Sequence, residues 1–303
     1  MPQTQFQPTL PTHWLLANHR SLPLNPPALM AILNLTPDSF ADAARPGGRL
    51  TSTSTALAAA AAALSAGAQV LDLGAESTRP GAQPVSPADQ LSRLTPVIRA
   101  IRAEHPSAIL SIDTTRAQVA EECLSLGANA INDVSAGLDD PAMLQTVARH
   151  RAGYIAMHRL TAPQHDQYSD RYTTAPITTD ITQTVIQFLK DRVNACIAAG
   201  ISPDSILIDP GLGFGKTVEQ NLELLRSTPT IVQATGRPIL SALSRKSFVG
   251  RVALGRDSTP EERLPGTLAL STLHLSLGAS MLRVHDVAEH VQVIKAATSA
   301  TPH

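Results

Sequence analysis

Eight short apolar runs punctuate the chain, at 29–35, 70–73, 109–113, 130–133, 154–158, 206–209, 239–242 and 281–284, and four of them end on a polar side chain. Near-continuous Val, Ile and Leu of this length is the pattern of parallel strands buried on both faces. Between them lie helical patterns at 54–66, 87–104, 116–126, 141–150, 179–199, 218–226, 264–277 and 287–297. Gly67, Gly127, Gly200 and Gly278 stand where helices should close. Strict alternation of eight strands with eight helices predicts an α/β fold, a (β/α)8 TIM barrel, as a single domain over 29–299. The Pro-rich residues 1–28 are expected to be an N-terminal extension wrapping the barrel surface. An open doubly wound sheet is the structural alternative. It would want a dinucleotide fingerprint after the first strand, where this chain has Asn34-Leu35-Thr36-Pro37.

Composition narrows the function more than the fold. With 303 residues, 43% hydrophobic, the chain can bury a large core without metal or disulfide staples. A net charge of −1 and 3% aromatics give neither a phosphate-seeking face nor a base-stacking platform, so nucleic acid is not the expected partner. No apolar run approaches 18 residues, no signal peptide is visible in residues 1–28, and no membrane contact is expected. Cys123 and Cys196 lack any metal or redox spacing and read as buried thiols. These features together predict a cytoplasmic protein.

Candidate chemistry sits where the strands end. Asn34, Asp72, Asp113, Asn132, His158, Asp209, Lys246, Arg283 and His285 all fall at or just after strand C-termini, which in a barrel converge on one mouth. Singly, each has a structural explanation: Asp72 or Asp133 could cap a helix, His158 could be a core imidazole, and Arg283 could pair with a carboxylate at the rim. Together, with both charge signs present, they suggest a site. Asp113, Asn132, Asp209 and Lys246 form a donor and acceptor set suited to a polar heterocycle. Asn34, Arg283 and His285 suit a polyanion with its metal ion, because an amide oxygen fits Mg2+ and Arg or protonated His bonds phosphate oxygens. No cysteine or multi-histidine zinc pattern is present. The loops at 36–48 and 74–83 carry Pro and Gly and are lid candidates or plain surface turns.

The stretch ILIDPGLGFGKT, 206–217, delivers Asp209 into a glycine-rich turn and then a helix opening at Lys216 and Thr217. It is not a phosphate-binding P-loop, since Pro210 occupies the position that needs the first glycine. Asp209 would then either cap the following helix or meet a flat ligand with an N–C–NH2 edge, such as a pterin or guanine ring.

These segments resemble the dihydropteroate synthase family. The matching motifs are NLTPDSF (34–40), ESTRPGA (76–82), SIDTTR (111–116), IND (131–133), MH (157–158), IDPGLGFGK (208–216), SRKS (244–247) and RVHDV (283–287), in order over nearly the whole chain. The resemblance implies a homodimeric barrel that joins 6-hydroxymethyl-7,8-dihydropterin diphosphate to 4-aminobenzoate, releasing diphosphate and requiring Mg2+. Carried over by motif, Asp113, Asn132, Asp209 and Lys246 hold the pterin, with Met157 and Phe214 beside its ring. Asn34 touches the Mg2+ and diphosphate together with Thr78, Arg283 and His285. Phe40, Pro80, Phe214 and Ser247 shape the aminobenzoate slot, and Arg79 arrives with its loop. The implied catalytic groups are therefore Asn34, Thr78, Arg79, Lys246, Arg283 and His285.

Two other readings share the pterin pocket: a methyltetrahydrofolate-dependent methyltransferase, which has no use for the diphosphate set, and a non-catalytic pterin-binding paralogue. The chain departs from the family pattern in three places. The first loop reads DAARPGG (42–48) where two glycines usually follow the Asp directly, the second strand ends in Gly74-Ala75, and Arg159-Leu160-Thr161 follows His158. The first departure bears on how the catalytic lid orders.

Overall fold

The computed structural model describes residues 10–36, 52–174, 176 and 180–300. Two strands, β1 (His13–Leu16) and β2 (Arg20–Pro23), make an antiparallel hairpin. The eight that follow are β3 (Ala28–Asn34), β4 (Val70–Gly74), β5 (Ile109–Asp113), β6 (Ala130–Asp133), β7 (Gly153–Met157), β8 (Ile206–Asp209), β9 (Ile239–Ser241) and β10 (Ala279–Val284). They pair in parallel in chain order, and β10 returns to β3 to close the barrel.

Alternation along these strands sorts the side chains into two populations. Leu71, Leu73, Leu110, Ile112, Ile131, Ile206 and Ile208 pack outward against the helices. Met30, Val70, Ala130, Ile155, Leu207, Leu240 and Met281 pack inward at the N-terminal end of the barrel. Two residues further along, the same inward face carries Asp72, Asn132, Asp209 and Arg283. The interior is thus apolar at its base and ionic at its mouth, and this follows from the period of two.

The base is closed by the hairpin. Trp14 is fully buried, packs with Leu16 and Leu22 against the inward layer, and donates its indole N–H to the Ser205 carbonyl at 2.8 Å. The N-terminal extension thus buries one face of its hairpin, through Trp14, Leu16 and Leu22, while His13, Leu15, Ser21 and Pro23 stay exposed. The hairpin offers only three inward side chains, too few to register as a strand signal beside the longer barrel runs. Gly153 is fixed by the same contact, since a Cβ there would come within 2.7 Å of the Trp14 ring.

Around the barrel run α1 (Thr53–Ala66), α2 (Pro87–Glu104), α3 (Ala117–Ser125), α4 (Met143–Arg149), α5 (Ile181–Ala198), α6 (Val218–Arg226), α7 (Thr228–Thr235), α8 (Ser247–Leu254), α9 (Leu264–Ser276) and α10 (Val287–Ala300). Their starts have local causes. Ser52, Ser86, Asp180 and Thr217 each accept a backbone N–H at a helix N-terminus, and Thr217 forms a capping box with Gln220. Two helices were absent from the sequence reading. α7 begins at a Thr-Pro-Thr stretch only one residue after α6 ends, and α8 begins directly behind Lys246, its N-cap. No helix among the described residues is long and apolar enough to cross a membrane.

Candidate active site

The polar groups at the strand ends meet at one mouth. The β3 to β6 register places Asn34, Gly74, Asp113 and Asn132 side by side across four neighbouring strands. Arg283, projecting from β10, bridges two buried carboxylates: its Nε donates to Asp72 Oδ2 at 2.6 Å and its Nη2 to Asp113 Oδ2 at 2.8 Å. The Asn132 amide donates to the same Asp72 oxygen at 3.1 Å. Asp72 has no exposed surface, so it acts as an anchor that orients Arg283 and Asn132. The sequence reading kept Asp72 out of its site assignments; its inward position, one alternation before Gly74, was the signal that could have placed it there.

These partners set the charges. Burial raises the Asp113 carboxyl to about 7, against the pull of Arg283. Burial also raises Asp209, which Lys246 and the Gly211 N–H, donated to its Oδ1 at 2.7 Å, oppose. Lys246 is lowered to about 8 by burial, partly offset by Asp209. Its ammonium donates to the Leu212 carbonyl and stands 4.3 Å from the centre of the Phe214 ring. Burial thus disfavours the charged form of both acid and amine in the protein alone, and each gains from a ligand that completes its hydrogen bonds.

The glycine turn after β8 is gripped from the other side by Lys216. This lysine has no exposed surface and donates to the carbonyls of Gly211 at 2.8 Å, Phe214 at 3.0 Å and His158 at 3.4 Å. Gly211 has φ of 68°, and a Cβ there would come within 1.7 Å of the His158 oxygen, so no other residue fits. Lys216 and Thr217 were expected to open the helix together; Thr217 is the cap, and Lys216 instead folds back under the turn.

His285 lies against Ser244, whose hydroxyl is 3.0 Å from Nδ1 and accepts the His285 backbone N–H at 3.3 Å. A Ser244 hydroxyl that donates to Nδ1 leaves the ring proton on Nε2, and one that accepts from Nδ1 leaves it on Nδ1. Burial, reinforced by Arg245 and Arg283, lowers His285 to about 3. It is neutral in the protein alone, whereas the sequence reading assigned phosphate contact to a protonated histidine. His158 resolves the other way. Its ring is buried, meets Phe188 edge-on at 4.8 Å, and is lowered to about 2 by burial, so it is a core imidazole.

A cavity of about 430 Å³ opens over this floor, within the usual range for small-molecule sites. Asn34, Asp113, Phe214, Lys246, Arg283 and His285 reach it from the strand ends and their turns. Thr78, Arg79 and Pro80 come from the loop after β4, and Ser247 from the start of α8. Asn132, Met157 and Asp209 are buried beside it; Met157 packs with Val134 and Phe214. A smaller cavity of about 240 Å³ lies on the other side of the β4 loop and shares Glu76, Ser77, Thr78 and Asp113. Phe40 and the altered first loop lie outside the described residues. Of the other departures, Ala75 is buried, with its carbonyl accepting from Arg93 at 2.8 Å, and Arg159 pairs with Asp139.

A closed parallel barrel with an apolar base and an ionic cavity at the strand C-termini is the architecture of a (β/α)8-barrel enzyme. The chain belongs to the pterin binding enzyme family, whose pattern matches residues 30–285. It is 41% identical over 269 residues to a Synechocystis dihydropteroate synthase, covering 89% of this chain and 88% of that protein. Among solved structures it resembles Xanthomonas albilineans dihydropteroate synthase with 4-aminobenzoic acid, at 37% identity and a TM-score of 0.82, over 97% of this chain and 100% of that one. It also resembles a Yersinia pestis dihydropteroate synthase in a sulfonamide drug complex, at 34% identity and a TM-score of 0.83, over 95% and 98%.

Proposed function

We propose that the chain carries out the dihydropteroate synthase reaction, joining 6-hydroxymethyl-7,8-dihydropterin diphosphate to 4-aminobenzoate with release of diphosphate. The observation that carries this reading is the convergence of Arg79, Lys246, Arg283 and His285 on one cavity whose floor is acid and amide. Family membership and the synthases it resembles support the same reaction.

Asp113, Asn132 and Asp209 would accept and donate along the pterin edge, with Lys246 donating to its acceptor atoms and Met157 and Phe214 against the ring. Arg283, pinned by Asp72, and His285 would take the diphosphate, joined by Thr78. Negative charge growing on the leaving diphosphate is what these donors stabilise, so the C–O bond can break early and leave a cation on the electron-rich dihydropterin. The aniline nitrogen of 4-aminobenzoate, seated by Pro80, Phe214, Ser247 and Phe40, then attacks that carbon. No strong base is required until that nitrogen sheds its proton. Arg79, on its loop, would close over the anion.

The donor set also fits Mg2+. Asn34 lines the cavity, and its amide oxygen is a hard oxygen donor of the kind Mg2+ takes. Among the described residues no group of three or more His, Cys, Asp or Glu could hold a metal, which suits a cation bound mainly through substrate phosphates. Asn34 would hold Mg2+ with the diphosphate, where the ion offsets the charge of the leaving group. By the same resemblance the chain is read as a cytoplasmic homodimer, consistent with two buried free cysteines whose thiols burial pushes up to about 12.

The test is product formation by the purified protein given pterin diphosphate, Mg2+ and 4-aminobenzoate, repeated without the amine and with chelator. Dihydropteroate is expected only in the complete mixture. Tight pterin binding with no product would show a pocket without the enzyme. Lys246→Ala should abolish pterin binding, whereas Arg79→Ala should keep it and lower kcat about 10²–10³-fold, as for loss of one charge-stabilising donor. Equal loss of pterin binding in both variants would refute this division.

A further inference from the structure

Arg245 and Asp286 belong to the motif segments at the ends of β9 and β10, yet the chemistry above uses neither. Arg245 stands between Ser244 and Lys246, and Asp286 directly follows His285. The Arg245 backbone has φ of 57°, a left-handed conformation that a residue with a Cβ adopts only when its surroundings impose it. Those surroundings are present. Its N–H donates to Thr267 Oγ1 at 3.1 Å, and its carbonyl accepts from Arg263 Nη1 at 2.9 Å. Its guanidinium grips Asp286 with two bonds, Nε to Oδ2 at 2.8 Å and Nη2 to Oδ1.

This pair is screened little by water, with side-chain exposures of 15% and 7%. Asp286 is itself fixed, because its carbonyl accepts from the backbone N–H of His290 at 3.2 Å and lies 2.6 Å from the His290 ring. The left-handed turn aims the residues on either side. Ser244 reaches His285 Nδ1, and Lys246 reaches the Leu212 carbonyl. A relaxed backbone at Arg245 would shift the segment 244–246 relative to the end of β10.

We propose that Arg245 and Asp286 are a positioning pair: by holding the strained turn against the end of β10, they set the spacing between Lys246 and His285. This rests on the proposed function, in which those two residues hold the two ends of one substrate. Neither half-site depends on the spacing by itself; the reaction does, because the pterin carbon and its leaving group must be held together.

The experiment compares wild type with Asp286→Asn, which keeps size and loses the charge, and Asp286→Glu, which restores it. In Asp286→Asn, kcat for dihydropteroate formation should fall 10- to 100-fold. Affinity for a pterin lacking the diphosphate, and separately for inorganic diphosphate with Mg2+, should stay within threefold. Asp286→Glu should recover most of the lost kcat. Unchanged kcat in folded Asp286→Asn, or half-site affinities that fall as far as kcat, would overturn the proposal. If Asp286→Asn does not fold, Arg245→Lys is read by the same criteria, since it keeps the charge and loses the two-bond grip. Wild type that forms no product sinks the proposed function alone. The pair is then judged by the His285 imidazole 15N shifts, which should change in Asp286→Asn if the Ser244 contact is lost and stay put if the pair does nothing.

Discussion

Lys216 shows what a single residue can do without touching a ligand. Three carbonyls from two segments converge on its ammonium, and together they hold the turn on which Phe214 and the Lys246 contact depend. Burial lowers it to about 7, against the pull of Asp209, so near neutral pH it is partly charged. Lys216→Met would take this donor from three carbonyls in the core, of which that of Gly211 keeps the Phe214 N–H at 3.1 Å. We expect a loss of about 3 kcal/mol in urea unfolding, the scale of a charged hydrogen-bonding group removed from a buried site. Pterin affinity should fall with it, although Lys216 does not line the cavity. A stable Lys216→Met protein with full pterin affinity would show that the turn holds itself. In the sequence this lysine read only as the opening of the next helix, because its role depends on a carbonyl from His158, 58 positions away. Asp209 and Asp113 were legible for the opposite reason: a charge ending an apolar run needs no partner to announce it. The neutrality of His285 was not legible, since it arises first from burial, which only the folded chain supplies, with Arg245 and Arg283 reinforcing it.

At the scale of elements, the barrel could be read almost strand by strand, and β5, β6 and β8 to the residue, since each ends in an aspartate. What escaped the reading were elements with weak periodicity: the hairpin β1–β2 and the short helices α7 and α8. The hairpin is the more consequential, because it completes the inward apolar layer that no barrel strand can close by itself. Trp14→Ala should cost about 3–5 kcal/mol in chemical denaturation, the range for a large aromatic deleted from a core. The site lies at the opposite end of the strands, so kcat and KM of the folded fraction should hardly change. A Trp14→Ala protein with normal stability would mean that the hairpin covers the base without supporting it.

Across the whole molecule, an apolar base carries a mouth whose charges are costly until a ligand completes them. The signs can be followed group by group. Asp113 is raised from its ordinary value to about 7, so its favourable contribution to stability exists at low pH and is lost as pH rises from about 4 through 7. Lys246 is lowered to about 8, so its contribution exists at high pH and is lost as pH falls from about 10.5 through 8. Between 7 and 8 both are mainly charged in the folded chain against the preference of their surroundings. A pterin that donates to Asp113 and accepts from Lys246 should relieve both, lowering the first value and raising the second. Binding should therefore release protons at pH 6.5 and take them up at pH 8.5, with a crossing between. Calorimetric titration of pterin in buffers of different ionisation enthalpy measures this directly. Asp113→Asn should lose much of the release at pH 6.5 and keep the uptake at 8.5. Unchanged release in that variant would move the acid limb to Asp209, whose carboxyl burial also raises. Absence of uptake at 8.5 in wild type would mean that Lys246 does not donate to the pterin, and its place in the site would then be structural, as the lid of the turn that Lys216 holds from below.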